Sequence, residues 1–150
     1  MKRVKAKNDP VALREMGTSR YQEGDHEKAV EYWTKSAELE DPSSHYNLGN
    51  MYMKGDVVEK DAEKCIQHLE KAAIGGHPDA RYNLATIQGS NENVERAAKH
   101  LIIAANLGSE KSMKALWKYY SAGHITKEEL ETTLRTPRLQ LMQQRVPKVT

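Results

Sequence analysis

At 150 residues, with 38% hydrophobic and 29% charged side chains, the chain has apolar content enough for one compact domain or one short array of repeats, which argues against global disorder. No run approaches the ~18 consecutive apolar residues of a membrane span, and the basic start MKRVKAK is not followed by the apolar stretch of a secretion signal. The net charge of +2 is unevenly spread: residues 8–110 hold 11 Lys/Arg against 18 Asp/Glu, while the first seven residues carry +4 and residues 111–150 carry +5.

Taken in chain order, residues 1–8 read as a basic arm. Asp9-Pro10 then opens a helix, because Asp accepts from free amide donors at a helix start and Pro fits the first helical position. That helix runs from Val11 to Tyr21 and stops at Gly24, since glycine takes the left-handed conformation cheaply. Asp25 caps a second helix, in which Ala29, Val30, Trp33, Ala37 and Leu39 fall at helical spacing. The pattern restarts at Asp41-Pro42, with a helix from Ser43 to Met53, a longer turn over Gly55–Asp61, and a partner helix carrying Cys65, Ile66, Leu69, Ala72 and Ala73. It restarts again at His77-Pro78-Asp79-Ala80, with Ala97, Leu101, Ile102, Ala104 and Ala105 on the partner helix. A fourth pass keeps Leu116, Tyr120 and Gly123 but places Trp117 and Glu129 where small residues are expected. Thr126-x-x-Glu129 there reads as a capping box for a last helix toward Leu134, and Pro137 and Pro147 bound a polar tail over 137–150.

The restarts are columns of one repeat of about 32–36 residues. A large apolar residue recurs as Met16, Leu48, Leu84 and Leu116. Small residues recur as Gly17, Gly49 and Ala85, as Ala29, Cys65 and Ala97, and as Ser36, Ala72 and Ala104. Antiparallel helices approach closely only where side chains are small, so Gly17 is expected opposite Ala29, Gly49 opposite Cys65, and Ala85 opposite Ala97. One hairpin cannot bury its apolar face alone, which makes the array the stable unit. The expected units are 9–40, 41–76, 77–108 and 109–136.

With Met16-Gly17, Tyr21, Gly24-Asp25, Lys28-Ala29, Trp33 and Ala37, the first unit resembles a tetratricopeptide repeat. The second, Tyr46-Asn47-Leu48-Gly49 through Lys54-Gly55 and its extended turn to Lys71-Ala72-Ala73, resembles the related Sel1-like repeat. The resemblance covers residues 9–136 and implies an all-α fold: an α/α superhelix, a right-handed solenoid of antiparallel hairpins with about four repeats, the last a degraded cap. It further implies that the first helices line a concave face. Carried over position by position, that face holds Arg14, Thr18 and Tyr21, then Tyr46, Asn50, Met53 and Lys54, then Tyr82 and Thr86, then Lys111, Lys114 and Lys118. Two tyrosine platforms, an amide and a cationic edge suit an extended peptide or a partner helix. The expected role is therefore a non-enzymatic protein–protein interaction scaffold or adaptor.

Other chemistry finds little footing. No phosphate loop, dinucleotide fingerprint or nucleophile elbow occurs, so no catalytic residue and no cofactor is assigned. His68 and His100 share the column of Tyr32; repeat-equivalent side chains stand about one repeat apart, so these histidines are expected at the surface or groove rather than on one metal ion. The lone Cys65 sits in a small-residue column and is expected to be buried packing. It forms no disulfide within one chain, and the expected compartment is the cytoplasm, with the nucleus as alternative. Contact of the basic ends with nucleic acid or an anionic surface, and end-to-end self-association, stand as the alternatives to protein binding.

Overall fold

The structure, a computed structural model, describes residues 9–90 and 93–133. Among these residues are eight helices: α1 Pro10–Gln22, α2 His26–Glu38, α3 Pro42–Lys54, α4 Ala62–Ile74, α5 Pro78–Ser90, α6 Val94–Asn106, α7 Glu110–Ser121 and α8 Lys127–Thr133. The fold is all-α and built from helical hairpins. It divides between His77 and Pro78 into two compact units. The basic arm, Leu134 and the polar tail lie outside the described residues.

The helix starts follow the expected chemistry. The Asp9, Asp25, Asp41 and Asp61 side chains each accept from backbone N–H groups of the first turn they precede. Asn93 and Ser109 do the same for α6 and α7. Gly55 closes α3 in the left-handed conformation at φ 72°. The capping box of α8 is reciprocal: Glu129 N–H donates to Thr126 Oγ1 at 3.1 Å, and Thr126 N–H donates to Glu129 Oε2 at 3.0 Å.

In the first unit, Ala29, Trp33, Ala37, Leu48 and Met51 form one buried cluster, and Cys65, Leu69, Ala72 and Ala73 are buried on α4. The small columns work as crossings, but the residue each glycine admits lies one turn beyond the expected partner. A methyl group on Gly17 would meet Trp33 at 2.5 Å and the Ala29 carbonyl at 3.2 Å. On Gly49 it would meet Leu69 at 3.0 Å and the Cys65 carbonyl at 3.4 Å. The repeat therefore places a large side chain of the second helix over a bare patch of the first. Ser36 ties the first three helices together, donating to the Pro10 carbonyl at 2.6 Å and accepting from Ser44 Oγ at 2.8 Å.

Two apolar residues are more exposed than their columns suggest. Met16 is 38% exposed because α1 packs mainly on α2 and buries only the Leu13–Gly17 stripe, whereas α3 is packed by both α2 and α4 and buries Leu48. Leu39 is 44% exposed because it follows the last residue of α2, just before Glu40 turns the chain at φ 65°.

In the second unit, α5 and α6 form a hairpin on which α7 and α8 pack. Ala85, Ala97, Leu101, Met113, Leu116, Ile125 and Leu130 are buried together. Trp117, in the column of Gly49 and Ala85, is half-buried and meets Tyr120 edge to face.

Candidate functional site

In the first unit a pocket of about 270 Å³ opens between α1 and α3. It gathers four residues of the expected face, Thr18, Tyr21, Asn50 and Lys54. Trp33 and Met51 complete its lining together with Asn47, which sequence reasoning passed over although it stands one turn before Asn50. Tyr21 is held by stacking on His26 at 4.4 Å and leaning on Trp33 at 5.6 Å. Thr18 Oγ1 donates to the Arg14 carbonyl at 3.1 Å.

Other expected residues stand elsewhere. The Arg14 guanidinium is held by Asp41, at 3.0 and 3.2 Å from its two carboxylate oxygens. Tyr46 is stacked on His77 at 4.2 Å. Met53 is exposed and outside the pocket lining.

The second unit holds a pocket of about 500 Å³. It brings Tyr82, Thr86 and Lys118 together with Gly89, Tyr119 and His124 over a floor that includes Leu101. Lys111 and Lys114 are exposed on α7 outside this lining.

The two pockets are one construction used twice. Thr18, Tyr21 and Trp33 line the first, and the residues two repeats further on, Thr86, Gly89 and Leu101, line the second. Asn47, Asn50 and Met51 correspond in the same way to Ala115, Lys118 and Tyr119. Reading the columns beyond the two or three most regular ones is the signal that would have found Asn47, Gly89 and Tyr119.

A separate cleft in the first unit gives His68 a partner that its repeat column does not supply. His68 on α4 meets His45 on α3, with their Nδ1 atoms 2.9 Å apart, and Tyr52 stacks on His68 at 5.7 Å. The partner comes from the facing helix of the same hairpin and not from the same column of another repeat. At that distance one Nδ1 donates and the other accepts, an arrangement closed to two protonated rings. Burial, reinforced by His45 and by Lys71 and Lys64, holds His68 down at about 4; burial and Lys71 also lower His45, against the opposing pull of Glu40 and Asp41. In the next repeat Arg81 and His100 take these two positions, 3.5 Å apart.

In the unfolded chain the imidazoles titrate near 6.5, so below that pH the unfolded state binds protons that the folded first unit refuses. Stability contributed by the neutral pair is therefore complete above pH 6.5 and lost as pH falls toward about 4. Each tenfold difference in proton affinity between the two states is worth about 1.4 kcal/mol, and solvent screening in the half-open cleft reduces the sum, so the loss is on the order of 1–2 kcal/mol. Urea unfolding at pH 7.5 and 4.5 should show it, and His68→Gln should flatten the difference.

Among the described residues no group of three or more His, Cys, Asp or Glu side chains is placed to hold a metal ion. Cys65 is buried, which pushes its thiol up. No helix among them is long and apolar enough to cross a membrane.

Capped antiparallel hairpins repeated at a fixed period define the class of α-helical repeat proteins. Within that class, the chain belongs to the Sel1 repeat family, whose model matches residues 10–41, 42–77 and 78–109. Among solved structures, it is similar to a Sel1 repeat protein of Oxalobacter formigenes at 24% identity and a TM-score of 0.74, over 92% of this chain and 58% of that one. It is also similar to Helicobacter pylori cysteine rich protein B, at 29% identity and a TM-score of 0.61, over 73% of this chain and 85% of that one. Two curated relatives match shorter stretches. HcpC of Helicobacter pylori, which carries a beta-lactamase name, is 38% identical over 55 residues, 37% of this chain. HRD3B of Arabidopsis thaliana, an ERAD-associated E3 ubiquitin-protein ligase component, is 58% identical over 33 residues, 22% of this chain. The chain spans 19% and 6% of the length of these two proteins.

Proposed function

We propose that the protein is a non-enzymatic interaction scaffold that holds an extended peptide or a partner helix against the first helices of its hairpins. The observation that carries this reading is the repeated pocket: hydroxyl and amide or ammonium groups at the rim, over an apolar floor, recur at equivalent positions in both units. Such a rim answers the donors and acceptors of a peptide backbone, while the floor takes a side chain. Membership of a family whose fold serves as a scaffold supports it, as does the HRD3B stretch, since that protein is by its name a component of a larger assembly. The beta-lactamase name reaches the chain through a 55-residue match and carries no catalytic group with it. A buried free thiol at Cys65 fits a reducing compartment, and the cytoplasm is the proposed location.

The test is selection of random twelve-residue peptides on the immobilised full chain, followed by fluorescence anisotropy with the selected peptides. Thr18→Ala/Asn50→Ala removes two polar groups of the first pocket and should weaken binding about tenfold while leaving the thermal melt in place. Selected peptides that bind both folded Thr18→Ala/Asn50→Ala and folded Lys118→Gln with unchanged affinity overturn the reading.

A further inference from the structure

Comparing the two pockets column by column shows what the second one has gained. Gly89 stands where the first has Tyr21, and Leu101 where it has Trp33, while Tyr119 takes the place of Met51 and brings its hydroxyl within 3.0 Å of where a Gly89 Cβ would stand; the pocket is about 500 rather than about 270 Å³. The floor remains apolar, with Leu101, Ala85 and Val94. Each rim carries one ammonium, Lys54 in the first pocket and Lys118, in the column of Asn50, in the second. Lys118 does not act alone: Lys111, Lys114 and Lys118 recur at helical spacing on α7, all exposed, with His124 also at the pocket. No carboxylate is among the described residues that line it.

We infer that the second unit's pocket is a specificity pocket for an acidic peptide segment, taking one large apolar side chain over Leu101 while a neighbouring Asp or Glu of the peptide pairs with Lys118. This rests on the peptide-binding reading and adds to it the chemistry of the partner. Depth selects the apolar side chain, because a larger apolar floor is removed from water only by a side chain that fills it. Charge selects its neighbour, because a carboxylate beside an ammonium over a low-dielectric floor is stabilised where Lys or Arg would be repelled. The first pocket also carries an ammonium, Lys54, but its smaller volume, with Tyr21 and Trp33 in the lining, leaves less room for the large apolar side chain.

The experiment is fluorescence anisotropy of the full chain with three labelled peptide pools, each a Leu, Phe or Trp flanked by Gly-Ser and followed by Asp/Glu, by Asn/Gln or by Lys/Arg. The acidic pool should bind about tenfold more tightly than the neutral one, and the advantage should vanish in Lys118→Gln. Gly89→Tyr, whose side chain meets the Tyr119 hydroxyl and narrows the pocket, should weaken binding of the acidic pool by a similar factor; a thermal melt of each variant checks its fold. Equal binding of the acidic and neutral pools, with both weakened by Thr18→Ala/Asn50→Ala, overturns this inference and leaves the peptide-binding reading standing. Binding by none of the pools overturns both. An acidic preference that survives Lys118→Gln overturns the assignment to this pocket. A single-stranded oligonucleotide that displaces the acidic pool, and that also loses its binding in Lys118→Gln, overturns it in favour of a general polyanion surface.

Discussion

Gly17→Ala is expected to destabilise the first unit by about 2 kcal/mol, although alanine normally favours a helix. The added methyl would stand 2.5 Å from Trp33 Cδ1 and 2.6 Å from its Nε1. The indole has little room to retreat: it is buried, leans on Tyr21, and its Nε1–H donates to the Arg14 carbonyl at 3.2 Å. The same column supplies the control. The third hairpin carries Ala85 naturally, and the residue that takes the place of Trp33 there is Leu101. Gly17→Ala/Trp33→Leu should therefore lose less than the sum of the two single substitutions, and a double-mutant cycle by urea unfolding measures the coupling. Additive losses would mean that the glycine and the indole are not matched to each other.

Asp41→Ala is expected to cost about 3 kcal/mol, the other large loss in this unit. One buried carboxylate performs two tasks. It accepts from Ser44 N–H at 2.9 Å, which caps α3, and it holds Arg14 of α1 at 3.0 and 3.2 Å. Removing it leaves an uncapped helix start and a half-buried guanidinium whose partner is gone. Asp41→Asn keeps an acceptor for the cap and loses the charge pairing, so its loss should be about half as large. Arg14→Met leaves the cap in place and should also fall between. Equal losses for Ala and Asn would assign the whole effect to the ion pair.

The Arg14–Asp41 pair also explains why Arg14 could be placed on a binding face from its column and yet serve the fold. A column tells which side of a helix a residue occupies. It does not tell whether a carboxylate of the next helix start lies within reach, and Asp41 does. Tyr46 is a second case: its column points to an open platform, and the ring of His77, distant in sequence, covers it.

The hairpins themselves were legible because their determinants are local. Asp-Pro at a helix start, glycine or aspartate in the turn, Thr126 three residues before Glu129, and apolar residues at helical spacing each act over a few residues, and repetition made each signal visible several times. Part of the first pocket was legible on the same ground, since Thr18, Tyr21 and Asn50 follow from position in the repeat.

What only tertiary structure decided depends on distances between helices. The His45–His68 pair joins residues of two helices whose separation is set by how closely Gly49 lets Leu69 approach, and no periodicity reports that spacing. The difference in size between the two pockets is likewise a packing outcome, arising where Gly89, Leu101 and Tyr119 stand in the columns of Tyr21, Trp33 and Met51. The sequence alone determined the class of fold, the helix ends and the repeat columns, because those are set by local backbone chemistry. Which columns close on one another and which remain open to a partner was decided by side-chain volume and charge meeting across helices.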